Sequence, residues 1–451
     1  MSEIEKNDVE LFKSLLEKKS YTRLRGLASD MNVQDVAVIL ETIEDEDMLK
    51  MFRLFPKELA ADVFAELEPD SQQFIITQLS DKEAGLIIDN LYADDAADLL
   101  EEMPANVVKR LLANAKPETR KDINNLLQYP EDSAGSIMTV EFVDLTTNMT
   151  VSDAIERIRA IAMDSETIEQ LYVLSPKRVL LGTVELRQLI LNTKNDLIGN
   201  IMEDDPICCN TTTDQEQVAQ LFKKYDLNAM PVVDNENRMV GIITVDDVID
   251  IIEEEVEEDF DKMAGIIHGD KPYLKTSVFE TWKKRIPWLL LLMISATFTG
   301  KIITGFEDAL SKYIVLTAYI PMLMDTGGNS GNQASTEVVR SLSLGQATFD
   351  DFFKVVWKEM RVGMLCGLTL ALANFAKCMW FDGLGFNVSL VICITILSAV
   401  FIAKLLASTL VLLISKLKLD PAVVASPMLT TAIDAISLLI YFTIATSLLG
   451  I

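Results

Sequence analysis

The spacing of apolar residues changes character twice along these 451 residues. Up to about residue 128, short apolar stretches recur every three to four positions and are broken by Pro, Asp or Glu, which predicts short amphipathic helices. Ala60-Ala-Asp62-Val-Phe64 and Ala96-Ala-Asp98-Leu-Leu100 repeat 36 residues apart, with a fainter echo over 36–43, so helix pairs are expected to stack as a superhelical array. From Tyr129 onward, β-branched runs alternate with helical ones in two similarly ordered units. Ser136-Ile-Met-Thr139 opens the first, and 151–162, 171–175, 180–184 and 185–192 read helix, strand, strand, helix. Asn200-Ile-Met-Glu203 opens the second, with a helix over 214–225, strands over 229–233 and 240–244, and a helix from Val245. Beyond Lys283-Lys-Arg285 the pattern becomes five long apolar segments, about 286–303, 313–342, 362–381, 388–415 and 422–449, each reaching the ~20 residues a spanning helix needs.

Charge sharpens this division. Residues 1–270 hold 57 Asp and Glu against 25 Lys and Arg, whereas 271–451 hold 11 against 15. An acidic surface of this size repels phosphate backbones and attracts cations, so nucleic acid is excluded as a partner and divalent cations are expected. Five cysteines without a Cys-x-x-Cys pair and a single histidine, His268, suggest neither a zinc site nor a disulfide framework. The charged start, Met1 to Lys6, predicts no cleavable signal peptide. Basic residues at 283–285, 340, 354, 358, 361, 416 and 418 place the amino terminus in the cytosol and the carboxyl terminus outside a multi-pass plasma (inner) membrane protein in contact with lipid.

Four places carry candidate chemistry. The second apolar segment contains Pro321 to Thr336, polar and glycine-rich where lipid tolerates neither, so it is expected to line a wet path or a helix contact. Asp325, Asn329 and Gln333 share a face if it is helical, and Gly327 to Asn329 are expected to form a backbone turn. Asp434 lies deep in the last segment, where a carboxylate marks an ion path, while Asp420-Pro421 and Glu359 are expected at the starts of their spans. Lys404 is deep in the fourth and is expected either to snorkel or to pair with a carboxylate such as Asp325. Finally, nine carboxylates fall between Asp246 and Asp259 on a helix; their mutual repulsion suggests a cation sensor, against simple solvation.

Met230-Pro-Val-Val-Asp234 and Val240-Gly-Ile-Ile-Thr-Val-Asp-Asp247 resemble the strand motifs of CBS domains, and the first unit departs by having Arg187 where the second has Asp247. Pro321 to Gln333, with Thr326-Gly-Gly-Asn329, Gly331 and Gln333, and Asp420 to Asp434, with Pro421, Pro427 and Thr431, resemble the two pore motifs of the MgtE family of magnesium channels. That resemblance implies a multidomain chain. It would have an all-α superhelical amino-terminal domain (1–128), tandem α/β CBS domains (129–199 and 200–259), a connecting or plug helix (260–285) and an all-α membrane domain of five transmembrane helices (286–451). It further implies a homodimer that conducts Mg2+ and is no enzyme, closed when cytosolic Mg2+ is high.

Carried onto this sequence, the resemblance makes Asp434 the pore carboxylate, with Gly328 and Asn329 beside it and Asp420 at the mouth. Regulatory Mg2+ would fall on Asp62, Asp94 and Asp98, on Asp214, Glu216, Asp226, Asp247 and Asp250, and on Glu255, Glu258 and Asp259. Oxygen ligands suit Mg2+ but do not separate it from Mn2+, Co2+ or Ca2+. Two other readings stay open: a channel or carrier for Mn2+, Co2+ or Ca2+, and a membrane receptor or enzyme whose CBS pair senses a nucleotide, with an ATP site around Thr244 and Asp247.

Overall fold

The computed structural model describes residues 3–101, 103–269, 273–274, 276–417, 419–423 and 427–450; side chains are described from residue 7 on, except those of 308 and 309. The chain divides into two compact units, 1–251 and 252–451.

The first unit begins with ten short helices, α1 to α10: Glu3–Glu17, Tyr21–Asp30, Val33–Glu41, Asp45–Phe52, Lys57–Ala65, Pro69–Gln78, Asp81–Ile88, Ala93–Glu101, Ala105–Asn114 and Pro117–Leu126. Their starts are written in the sequence. Ser80 and Glu83 form a capping box at α7, Asn32 accepts from the Gln34 N–H at α3, and Pro69 and Pro117 stand in the first turns of α6 and α10. One continuous core runs through all ten of these helices, from Phe12 through Leu40, Phe64 and Ile88 to Ile123. The helix-pair pattern of the sequence is thus realised as all-α structure.

Two α/β modules follow. The first contains β1 (Phe142–Leu145), α11 (Val151–Ile161), β2 (Thr167–Leu174), β3 (Leu180–Glu185) and α12 (Leu186–Leu191). The second contains α13 (Ile198–Ile201), β4 (Glu203–Asp204), β5 (Cys209–Asn210), α14 (Gln215–Tyr225), β6 (Ala229–Val233), β7 (Met239–Thr244) and α15 (Val245–Ala264). One sheet has the order β1-β2-β3-β4 and the other β5-β6-β7, each with one parallel and then antiparallel pairing.

The two openings cross over. Glu203, which opens the second unit, pairs with Thr183 of the first sheet, while Thr139, which opens the first, exchanges hydrogen bonds of 2.8 and 2.9 Å with Ile242 of the second. Gly182 and Gly241 make room at matching places. A Cβ there would lie 2.5 Å from the Glu203 carbonyl and 2.6 Å from the Thr139 carbonyl respectively. Tyr172, Leu174, Leu180, Val233, Met239 and Ile242 form a core shared by both sheets.

The second unit holds the rest of α15, then α16 (Val278–Gly305), α17 (Glu307–Lys312), α18 (Ile320–Ser343), α19 (Phe352–Trp380), α20 (Phe386–Lys416) and α21 (Pro427–Leu449). Among the described residues, four helical stretches are long and apolar enough to cross a membrane: 278–305, 349–380, 386–416 and 427–449. The fifth expected span, α18, has 24 residues, about 36 Å of helix, but carries too many polar groups to meet that criterion. α20 is the most buried of the four spans and α16 the least.

Two sequence expectations change here. Gly327 to Asn329 form no turn, because α18 runs unbroken through them. The segment 260–285 is not a single helix: α15 extends to Ala264, helix resumes at Val278, and residues 270–272 and 275 lie outside the described residues.

Candidate metal centres and ion path

In the first unit, carboxylates converge where α8 meets the second module. Ala93 and Ala97 of α8 pack in one apolar cluster with Met138, Val218, Met230 and Val248, which carries the neighbouring acidic residues inward. Asp94 is buried. Burial first, then Asp95, Asp247 and Glu166, drives its carboxyl well above the usual carboxylate range.

Burial followed by the charge of Asp247 pushes Asp95 up to about 7 and Glu166 up to about 8. Asp247 rises to about 6 through burial, opposed by the Thr244 hydroxyl, which donates to it at 2.7 Å. Glu66 is raised by burial and then by Asp250, Asp246 and Asp62. Glu166 Oε2 is buried with no hydrogen-bond partner among the described residues. Among the described residues, the charges that act most strongly on Asp94, Asp95 and Glu166 are negative.

The remaining regulatory candidates of this unit have other placements. Asp98, on the same helix as Asp94, is exposed, as is Asp62 on α5. Asp214 caps α14 by accepting from the Glu216 N–H at 3.0 Å, and Glu216 accepts from Gln220 at 3.4 Å. Asp226 closes the same helix in the left-handed region, with φ 51°. Asp214, Glu216 and Asp226 therefore bracket α14, away from the α8 cluster in sequence and role. Asp95, Glu166 and Glu66 were not singled out in the sequence. Asp95 adjoins Asp94, which was a signal; Glu166 precedes β2 in no motif.

In the second unit, Glu255, Glu258 and Asp259 lie on α15, and Asp420 stands just ahead of the turn Pro421–Val423, accepting from the Ala422 N–H at 2.7 Å. Lys262, which the sequence reading passed over, joins Glu258 to Asp420 at 2.5 and 2.6 Å. Asp259 accepts from the Ser343 hydroxyl at 3.4 Å. Burial and then Asp420 raise its carboxyl, eased by Lys262 and Ser343. Among the described residues of the chain, no group of three His, Cys, Asp or Glu forms a ready-made metal site. The carboxylates are gathered by the fold but not closed around a point.

The candidate ion path of the membrane unit runs along α18. Its buried face consists of Leu323, Gly327, Gly328, Ser330, Gly331, Ala334, Ser335, Val338 and Val339 together with its first residue. The opposite face carries Asp325, Asn329, Asn332, Gln333 and Thr336, all exposed in the single chain. α21 crosses the glycines closely: a Cβ on Gly327 would lie 2.5 Å from Ser437 Oγ, and one on Gly328 would lie 2.7 Å from Thr430 Cγ2 and 3.2 Å from Asp434 Oδ1. That oxygen is itself buried and without a hydrogen-bond partner among the described residues. Asp434 is the eighth residue of α21, about 11 Å from its start, nearer one end than the span limits read from the sequence implied.

Lys404 does not pair with Asp325. Its ammonium lies 3.7 Å from Glu359 Oε2, with the two side chains 5% and 8% exposed. Glu359 is correspondingly inside α19, as its eighth residue, rather than at a span end. The helices explain the reassignment: α20 places Lys404 on its buried side toward α19, whereas Asp325 is on the open side of α18. At the start of α18, the Tyr319 hydroxyl donates to Asp382, which Lys377 also meets at 2.8 Å, and Cys378 donates to the Tyr319 oxygen at 3.7 Å.

Apolar helices of spanning length, a polar helix face among them and an acidic part built on paired α/β modules define a membrane transporter with an appended α/β region. Comparison with known proteins supplies the family. The family described as "Divalent cation transporter", MgtE, matches residues 320–444; "MgtE intracellular N domain" matches 31–132, and "CBS domain" matches 198–254. The chain is 36% identical to the "Magnesium transporter MgtE" of Thermus thermophilus over 430 residues, covering 94% of this chain and 95% of that protein. To the protein of the same name from Bacillus subtilis it is 32% identical, covering 94% and 96%.

Two solved structures are also similar. "Crystal structure of the soluble part of a magnesium transporter" covers 56% of this chain and 99% of its own, at 29% identity and TM-score 0.54. "Crystal structure of the cytosolic domain of the Mg2+ channel MgtE in complex with ATP" covers 54% and 99%, at 34% and 0.52. The chain belongs to the MgtE family of magnesium transporters, which are membrane proteins and not enzymes.

Proposed function

We propose that this protein is a Mg2+-selective channel for magnesium uptake across the plasma membrane, working as a homodimer and closed by cytosolic Mg2+. The observation that carries the reading is the α18 face. Asp325, Asn329, Asn332, Gln333 and Thr336 stand open on a helix long enough to span, beside the orphaned Asp434 oxygen. Lipid does not accept such a face, so it turns toward water and a second copy of the chain. Mg2+ sheds its water reluctantly, and amides, hydroxyls and a carboxylate on a wet helix face suit its hydrated form.

Gating follows from the carboxylates of the first unit. Asp94, Asp95, Glu166 and Asp247 repel one another, and Mg2+ held through oxygens or through its waters removes that repulsion and favours the compact, closed arrangement. Asp62, Asp98, Asp214, Glu216, Asp226, Asp250 and Glu255 contribute further weak sites. Several such sites acting on one equilibrium give a steep response. The domain limits given from the sequence, a cytosolic amino terminus and an outward carboxyl terminus belong to the same proposal. ATP at the paired modules is a second ligand, supported by the ATP complex of the similar cytosolic domain.

Ion flux into proteoliposomes tests the channel reading. Mg2+ should pass in preference to Mn2+, Co2+ and Ca2+, and Asp434→Ala should abolish the flux. Undiminished flux through that variant would remove the path from α18 and α21.

A further inference from the structure

The last turns of α15 are seated on the membrane unit by a lysine. Lys262 Nζ stands between Glu258 Oε1, four residues back on the same helix, at 2.5 Å, and Asp420 Oδ2 at 2.6 Å. These three side chains are only about a quarter to two fifths exposed, 26%, 37% and 32%. Beside them Asp259 reaches Ser343 at the end of α18. Met263, the next residue after Lys262, packs against an apolar group that includes Val338, Val339, Val411 and Ala422. Gly265 follows in the left-handed region at φ 68°, where a Cβ would lie 3.4 Å from Pro427, and the Ile267 N–H donates to the Lys284 carbonyl at 3.2 Å. The chain thus reverses directly after this contact.

Without the ammonium, Glu258, Asp259 and Asp420 would bring three negative charges together on two elements. Their repulsion would lift the helix end away from the Pro421 turn. The ammonium holds the point between Glu258 and Asp420 that a bridging divalent ion would take.

We propose that Lys262 is a built-in counter-cation that seats the end of α15 on the Asp420 turn before any divalent ion binds, so that the fold itself supplies part of the closing force. This rests on the gating reading above. Cytosolic Mg2+ then completes closure at the first unit's carboxylates and is not the ion that joins Glu258 to Asp420. The device sets the working point: a chain with the lysine closes at a lower Mg2+ concentration than one without it.

The test is Mg2+ current through the full-length protein against Mg2+ on the cytosolic side. Lys262→Met, which keeps the apolar stem, should raise the half-closing concentration by roughly threefold, the scale of a partly exposed ion pair, and Lys262→Arg should restore it. An unchanged or lowered concentration in Lys262→Met overturns the proposal. So does a Lys262→Arg variant that stays as hard to close as Lys262→Met, because the effect would then lie in packing.

A wild type that never closes with Mg2+ sinks the gating reading instead. The seat is then read in chelator by amide hydrogen exchange over 258–263. Faster exchange in Lys262→Met supports it, and equal exchange overturns it.

Discussion

Two regions bury carboxylates and treat them in opposite ways. In the membrane unit Glu359 meets Lys404, both almost wholly buried, and the Asp420 end of the path meets Lys262. In the first unit Asp94, Asp95, Glu166 and Asp247 face one another, and the charges acting on them are negative. A paired carboxylate is satisfied at all ion concentrations. A cluster without a cationic side chain stays dependent on protons or on cations from solution. Paired and unpaired carboxylates are thereby separated in one chain, and Asp434, whose Oδ1 has no hydrogen-bond partner among the described residues, is of the second kind although it sits among the first.

The largest effect expected from breaking this contrast is in the membrane. Lys404→Met strands Glu359 in a buried site and should destabilise the unit by about 3–5 kcal/mol, the cost of removing one partner of a buried pair. Lys404→Met with Glu359→Gln should recover most of that loss, as read by thermal denaturation in detergent. A double variant no better than the single one would mean that the pair is not coupled.

Next is the pH dependence of the first unit. The folded-state values of Asp247, Asp95 and Glu166 are raised, to about 6, 7 and 8, above the ordinary range near 4. The folded form therefore keeps protons that the unfolded form has released. The contribution to stability is fully present below about pH 4, declines as pH rises through these values, and stops falling above about 8. In chelator, the protection of the α8 amides in the full-length protein, corrected for intrinsic exchange, should fall from pH 5 to pH 8, and Mg2+ at pH 8 should raise it again. Asp95→Asn with Glu166→Gln should flatten both dependences.

Smaller again is Gly328→Ala. Its methyl would press on Thr430 and reach the Asp434 carboxylate, so Mg2+ flux should fall while expression holds. The smallest is Asp98→Asn. This exposed position should change stability by less than about 0.5 kcal/mol, whereas Asp94→Asn one turn earlier should change the Mg2+ response.

Much of this architecture was legible in the sequence, because period and repetition are local properties. The helix pairs, the two α/β modules and the polar interruption at Pro321 to Thr336 all announced themselves that way. Helix α18 departs from expectation at Gly327 to Asn329, where the glycines suggest a turn and the helix runs on. Their use is close packing against Thr430 and Ser437, which cannot be seen before α21 is placed.

Pairings across long separations were also hidden. Glu359 and Lys404 lie on different helices, and the charge nearest in pattern, Asp325, was the wrong partner. Asp94 and Asp98 share a helical face by spacing, yet only Asp94 is carried inward by the packing of Ala93 and Ala97. Glu166 had no motif, and only the tertiary fold brings it to Asp95.

The account depends most on the unpaired cluster acting as the cation sensor. The direct measurement is Mg2+ current in excised patches as cytosolic Mg2+ is raised, comparing wild type with the chain carrying Asp94→Asn, Asp95→Asn and Glu166→Gln together. The wild type should close steeply, and the triple variant should close at a shifted concentration and with a shallower slope. Superimposable closing curves would contradict the assignment of the sensor to these carboxylates.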